Sequence, residues 1–402
     1  MAAGLDEERP RLVPLEPHPV ELEDGSTAVA LRDPQGILEE VAVVSPAAYL
    51  VLAHFDGTRT LGEVQRALAL RGHEVPLAQI RTLAGKLREA GLLHGAAYQE
   101  RRAQALEEYR RAPARAPACA GGAYPDDPGE LRRALDDLFR HPEGPGGPPG
   151  AGTERPVRLL VSPHIDYHRG GHGYAHAYRA LAEACDADTF VVFGTAHASP
   201  PRLFTLTRQS YDTPLGPVET DASLVDALAA ELGEAEVLGE ELCHRTEHSV
   251  ELQMVWLRHL FAGREIQALP VLCSSISRLS DPASGTERFL SALERALAGR
   301  RACFVAGADL AHVGPQFGDP RPPTAEELAA LADEDRRTLS FLAGGDPAGF
   351  HRDGIRDEDR RRLCGVAPIY AAMRMAGTGA RLLHYGQWSD GTDSVSFAAA
   401  AG

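Results

Sequence analysis

Three apolar runs in this chain end in clusters of imidazoles and carboxylates. VRLLVSP leads into His164, Asp166, Tyr167 and His168; TFVVFGTA leads into His197; ACFVAGA leads into Asp309 and His312. In open α/β sheets ligands bind beyond the carboxyl ends of the strands, so these residues are placed to meet at one site. A lone histidine there is usually a hydrogen-bonded structural residue. Three in register fit a metal site better, because metal ligands commonly converge from strand ends. A second signal is CHRTEHSVELQMVWLRHL, where His244, Glu247, His248 and Glu251 follow an i, i+3, i+4, i+7 spacing. At 100° per residue that spacing puts all four on one helix face, beside an apolar stripe of Val250, Met254, Leu257 and Phe261. The plain reading is a solvated polar face; the chemical one is a face that ligates a metal, fixes a ligand's tautomer or moves protons. HRTEH is not the HExxH pattern of zinc proteases.

The third signal is Cys364 in RRRLCGVAPIYAAMRMAG, just before Gly365 and a helix that Pro368 can open. The positive end of that helix and the neighbouring arginines should favour thiolate, a nucleophile or a soft metal ligand. Two histidines with one cysteine suit iron or copper better than magnesium, and zinc stays open.

These side chains need a scaffold. VRLLVS, TFVVFGT, IQALPVL and ACFVAG read as strands, alternating with helical segments such as SLVDALAAEL and GTERFLSALERALAG, which is an α/β pattern. Upstream, ELEDGSTAVALRD and GILEEVAVV read as extended pairs and SPAAYLVLAHF as a helix capped by Ser45. Thr60 with Glu63 forms a capping box, and PLAQIRTLAGKLREAGLL reads as a helix ending at Gly91. That is a unit of winged-helix size. A charged helix, YQERRAQALEEYRR, and a Pro/Ala stretch through Pro117 read as the linker, with a domain boundary near 115. The Gly/Pro-rich segment 141–156 reads as a mobile loop.

Composition narrows the function classes. At 402 residues, two domains are the natural expectation. With 41 Lys plus Arg against 57 Asp plus Glu, the formal charge of -16 disfavours nucleic acid as a partner. No window approaches the run of about 20 apolar residues that a bilayer helix needs, so no membrane span is expected. The N-terminal MAAGLDEERPRL lacks the basic start and apolar stretch of an export signal. Six scattered cysteines without a CxxC fit neither a structural zinc site nor a disulfide framework, and point to reduced thiols in the cytoplasm.

The motifs AGGAYPDDPGELRRAL, SPHIDY, VFGTAH, EHSVELQ, GADLAH, CGVAPIYAAM and DSVSFAAAA occur in the order found in the Memo family. Residues 119–402 resemble that family, whose fold is that of class III extradiol dioxygenases and whose bacterial members are called AmmeMemoRadiSam system protein B. The resemblance implies that His164, His197 and Cys364 line a metal pocket, with Glu247, His248, Asp309 and His312 around it. It departs where the family usually has His-Ala-Gly-Tyr: here Asp166 takes the glycine's place, as an extra ligand or as a group orienting His164. SPAAYLVLAHFDGTRTLGEVQRAL and LREAGLL resemble the PqqD-like winged helix, which implies 1–115 as a peptide-docking domain ahead of a Memo-like domain over 116–402. A radical SAM enzyme and an AMMECR-type protein of the same system are the implied partners, with a peptide as ligand of the N-terminal domain.

Three functions fit these readings. The first is an iron- or copper-dependent redox enzyme, with His248 or His312 as acid/base and Asp309 or Glu247 orienting ligands. The second is a non-catalytic metal-binding or peptide-binding adaptor. The third is a hydrolase with Cys364 as nucleophile and His248 or His312 as base.

Overall fold

The computed structural model describes residues 8–38, 41–150, 152, 156–274 and 285–402. Residues 1–7 of the N-terminal segment, 39–40 of an expected strand, and 151 and 153–155 of the Gly/Pro segment lie outside the described residues. The chain divides into two compact units, Met1–Arg111 and Ala112–Gly402. Among the described residues no helix is long and apolar enough to cross a membrane.

The first unit joins an antiparallel sheet of β1 (Glu16–Glu21), β2 (Thr27–Arg32) and β3 (Ala42–Val44) to helices α1 (Pro46–Leu52), α2 (Leu61–Ala69), α3 (Leu77–Glu89) and α4 (Ala96–Arg111). Capping chemistry sets the helix starts. Ser45 accepts the Ala48 N–H, and Thr60 and Glu63 each accept the other's backbone N–H. Within ELEDGSTAVALRD, read as extended, a turn separates β1 from β2. Leu22 N–H bonds Ser26 O, and Gly25 takes a left-handed φ of 79° that favours glycine. Leu31, Val51, Leu52, Leu61, Val64, Ile80 and Leu87 form its core.

The second unit runs α5 (Pro128–Leu138), β4 (Leu159–Ser162), α6 (Tyr167–Ala184), β5 (Thr189–Thr195), β6 (Phe204–Leu206), β7 (Glu219–Thr220), α7 (Ala222–Leu232) and α8 (Glu234–Val237). It continues with α9 (His248–Leu260), β8 (Gln267–Cys273), α10 (Thr286–Ala296), β9 (Ala302–Gly307) and β10 (Asp309–Val313). The remainder is α11 (Ala325–Ala343), α12 (Pro347–Gly354), α13 (Arg356–Asp359), α14 (Val366–Ala376), β11 (Arg381–Ser389) and β12 (Ser394–Ala401). Its sheet has the order β10-β12-β4-β9-β5-β8-β6, with β11 on β12 and β7 on β8. The centre, β4-β9-β5-β8, is parallel, and β12 joins it antiparallel.

Strand alternation sends successive side chains to two different cores. Leu159, Val161, Val191, Phe193, Val271, Phe304 and Ala306 pack with α7, α10 and α14. Leu160, Phe190, Val192, Leu272, Cys303 and Val305 pack with α5, α6 and α9, where Trp256 lies fully buried. Covered on both faces, these strands read as unbroken apolar runs, which is why the sequence marks them clearly. Each buried Val, Leu or Phe among them contributes about 1.5–3 kcal/mol.

Two expectations change here. Residues 112–117, expected to be linker, belong to the second unit, where Arg115 is only 1% exposed. The segment 141–156 has no helix or strand among its described residues, but it is tied to α6 instead of standing free. His176 donates to Glu143 O (2.9 Å), Arg179 to Pro145 O (2.5 Å), and Gly150 N–H to the Glu183 carboxylate (2.9 Å).

Candidate metal centre

Because β4, β9 and β5 are neighbours in parallel register, their carboxyl ends deliver His164, Asp309 and His197 to one place. Cys364 arrives from the turn before α14, its carbonyl accepting from Thr195 Oγ1 (3.0 Å). One donor atom from each of His164, His197 and Cys364 lies within 4.8 Å of the other two, and the same holds for His197, Glu247 and His248.

Hydrogen bonding fixes the imidazoles. His164 Nδ1 faces the Gly307 carbonyl at 3.0 Å; a carbonyl only accepts, so Nδ1 carries the proton and Nε2 has a free lone pair. That Nε2 sits 3.2 Å from Cys364 Sγ. His197 Nδ1 faces both oxygens of Glu247 at 3.0 and 3.1 Å, which assigns its proton the same way and leaves Nε2 for the site. The Glu247 carboxylate also accepts the His197 and Ser249 backbone N–H groups. Asp309 accepts the His164 backbone N–H (2.9 Å) and holds its other oxygen 3.6 Å from His164 Nε2. His248 stacks on His197 with ring centroids 4.7 Å apart. The floor is dry and the mouth is open: His164 and Asp309 are 1% and 2% exposed, whereas the His197 side chain is 34% exposed.

Burial opposes charge throughout. It pushes His164 well below the usual histidine range, helped by His197 and His248, and holds His248 down at about 4. Asp309 rises to about 7 by burial, although two backbone N–H groups and His197 pull it down. Burial would also raise Glu247 and lower His197, but their mutual attraction outweighs it: the carboxylate falls well below its ordinary value and His197 rises well above. A metal at His197 Nε2 must therefore displace a proton.

Several expectations need correcting. The four-residue stripe does not share one helix. Glu241–Arg245 is a 3-10 turn and Glu247 is the N-cap of α9, because its carboxylate captures the Ser249 N–H. Only Glu247 and His248 reach the site. His244 is buried between Tyr211 Oη (2.7 Å) and the Thr205 carbonyl (2.9 Å). Glu251 binds Arg115 and Tyr124 and accepts the Ala118 and Cys119 N–H groups. Asp166 neither joins the donor cluster nor contacts His164. It caps α6 by accepting the Arg169 N–H and pairs with the Arg169 guanidinium (2.5 Å). Asp309 and His312 follow β9 as expected, within a further strand, β10. His312 Nδ1 is held by the Leu310 and Arg362 carbonyls, and burial with the His197 charge lowers it to about 4.

The thiolate expectation also fails: burial raises the Cys364 thiol, and the hydrogen bond from His197 only partly offsets this. The three nearby arginines point elsewhere, Arg360 to Glu334, Arg361 to Asp335 and Arg362 to Asp319. The sulfur faces His164, not the His248 or His312 that a hydrolase would use as base.

Sequence reasoning missed Gly307, Ser249, Gln253 and Arg115. A side chain at Gly194 or Gly307 would collide with Ser249, so these glycines let α9 approach the strand ends. Ser249 Oγ then donates to Thr195 O (2.9 Å) and Gln253 Nε2 to Pro163 O (2.7 Å), fixing the chain on either side of the site. Glycines closing two neighbouring strands, in VFGT and VAGAD, were the available signal.

The profile of the family described as "Memo-like protein" matches residues 115–401, nearly the whole second unit. This chain belongs to the Memo-like family. A MEMO1 family protein of Methanopyrus kandleri is 31% identical over 284 residues, covering 69% of this chain and 93% of that protein. One from Methanothermobacter thermautotrophicus is 29% identical over 287 residues (70% and 96%). One from Thermus thermophilus is 34% identical over 293 residues (72% and 82%). The Memo-like match begins at the buried Arg115 and contains every residue of the candidate metal centre.

Proposed function

We propose that the Memo-like unit binds one iron or copper ion through His164, His197 and Cys364 and acts as a redox enzyme on a protein or peptide. The observation that carries this reading is the donor set: two imidazoles whose Nδ1 is committed to an oxygen acceptor, which leaves Nε2 as the nitrogen to offer an ion, and a thiol, within 4.8 Å of one another at a solvent-facing mouth. Nitrogen and soft sulfur donors fit iron and copper better than they fit a hard ion. The metal would supply Lewis-acid and electron-transfer chemistry. Glu247 keeps His197 in the ligating tautomer, and the Gly307 carbonyl does the same for His164, while Asp309 holds the His164 backbone N–H. His248, neutral and stacked on His197, is placed to take a proton from a bound hydroxyl or amide at the mouth.

In this reading the first unit is a PqqD-like docking domain that presents a peptide. The partners are a radical SAM enzyme and an AMMECR-type protein of an AmmeMemoRadiSam system. Six free cysteines fit a reducing cytoplasm. The test is turnover by anaerobically loaded protein exposed to oxygen, with small phenols and peptides as substrates. Substrate-dependent oxygen uptake that is lost in His248→Gln supports the enzyme. Stoichiometric metal with no uptake on any substrate, but retained peptide binding, replaces it with the adaptor reading.

A further inference from the structure

A second group of imidazoles shares no residue with the metal centre. His141 follows α5, His172 and His176 stand at i and i+4 on α6, and His384 comes from β11. His141 stacks on His172 (centroids 5.3 Å, 14°), His172 meets His384 edge-on (5.0 Å), and His176 stacks on His384 (4.7 Å, 7°). Glu143 joins them: one donor atom from each of His141, Glu143 and His172 lies within 4.8 Å of the other two. Two further observations point to a ligand. Among the described residues buried His384 Nε2 has no hydrogen-bond partner, although buried polar atoms nearly always find one. The loop that carries His141 and Glu143 is also already ordered against α6, through His176 to Glu143 O (2.9 Å) and Arg179 to Pro145 O (2.5 Å), and is closed on itself by Gly144 N–H to His141 O (2.8 Å).

We propose that His141, Glu143 and His172, backed by His176 and His384, form a second site for a divalent transition ion of the zinc type. Neutral imidazoles and one carboxylate are a nitrogen/oxygen donor set for zinc, nickel or copper(II), with no thiolate. The Glu143 N–H meets His141 Nδ1 at 3.2 Å, an exposed contact within the same loop. Helical i, i+4 spacing brings His176 and His172 to the same side of α6, and the ion would tie that helix to the loop.

The experiment uses the full chain, without a histidine tag, carrying His197→Ala and Cys364→Ser so that the first centre is disabled. Equilibrium dialysis with zinc is expected to give one equivalent bound. Adding His141→Ala and Glu143→Ala, both exposed and safe for folding, should weaken that binding at least about tenfold. Cobalt in the same background should give a spectrum without the near-ultraviolet sulfur band of a thiolate site. No bound zinc, an affinity unmoved by the exposed pair, or a cobalt–sulfur band would each overturn the site. Failure of the first centre reads differently, as metal content in the wild-type chain that does not respond to Cys364→Ser.

Discussion

Glu247 and Glu251 stand one helical turn apart at the start of α9, both buried, and they do opposite work. Glu251 is matched by a full cation, Arg115, and by Tyr124 and two backbone N–H groups, so its charge is cancelled and closed off from solvent. Arg115 also donates to the His244 and Glu247 carbonyls, tying the entry of the second unit to the turn before α9. Glu247 is matched by an imidazole whose second nitrogen faces the pocket mouth. The difference teaches that burial and a partner do not distinguish a functional carboxylate from a structural one. What distinguishes them is whether the partner has a second nitrogen that it can give up to an ion.

The comparison can be broken most forcefully from the structural side. Arg115→Met leaves Glu251 buried without its cation and should cost about 3–5 kcal/mol in urea unfolding, with metal bound per folded molecule unchanged. A loss below about 1 kcal/mol would make the pair dispensable. From the functional side, Glu247→Gln should weaken metal binding by about 10–100-fold in calorimetry, with a smaller effect on stability than Arg115→Met. Equal effects in the two assays would erase the distinction.

His244 sharpens the comparison through pH. Burial lowers it from 6.5 to about 4, so it stays neutral when folded, whereas the unfolded chain takes up a proton below about 6.5. Its contribution is full above pH 6.5 and is lost as pH falls toward 4. The stability gap between wild type and His244→Phe should therefore narrow by on the order of 2 kcal/mol between about pH 7 and about pH 5. A gap that stays constant or widens contradicts a neutral, structural His244. The smallest effect is expected at Asp166. Asp166→Ala removes a helix cap and should cost about 1 kcal/mol of stability while leaving metal affinity unchanged. A tenfold drop in affinity would return Asp166 to the metal.

Much of the centre was legible because its strands are buried on both faces and therefore read as plain apolar runs. Each histidine then follows a run whose end is marked by Ser-Pro or Gly-Thr. The stripe from His244 to Glu251 was misread because periodicity assumes a helix that has already begun. Glu247 starts α9 by capping it with its own carboxylate, a local competition that spacing does not register. Asp166 was misread for the same reason, as a carboxylate beside a ligand when it is a carboxylate at a helix start. At Cys364, three arginines adjacent in sequence were counted as neighbours of the sulfur, whereas each is spent on an acid from another element. Arg115 sat inside a Pro/Ala stretch that composition alone called linker, and nothing local announces that its partner is 136 residues away.

The central claim is that His164, His197 and Cys364 hold one metal together. Its most direct test is elemental analysis of anaerobically purified protein, comparing wild type with His164→Ala, His197→Ala and Cys364→Ala at matched folding. The account predicts near-stoichiometric iron or copper in wild type and its loss in each of the three variants. A wild type that carries no iron or copper after reconstitution, or variants that retain it undiminished, would contradict the claim.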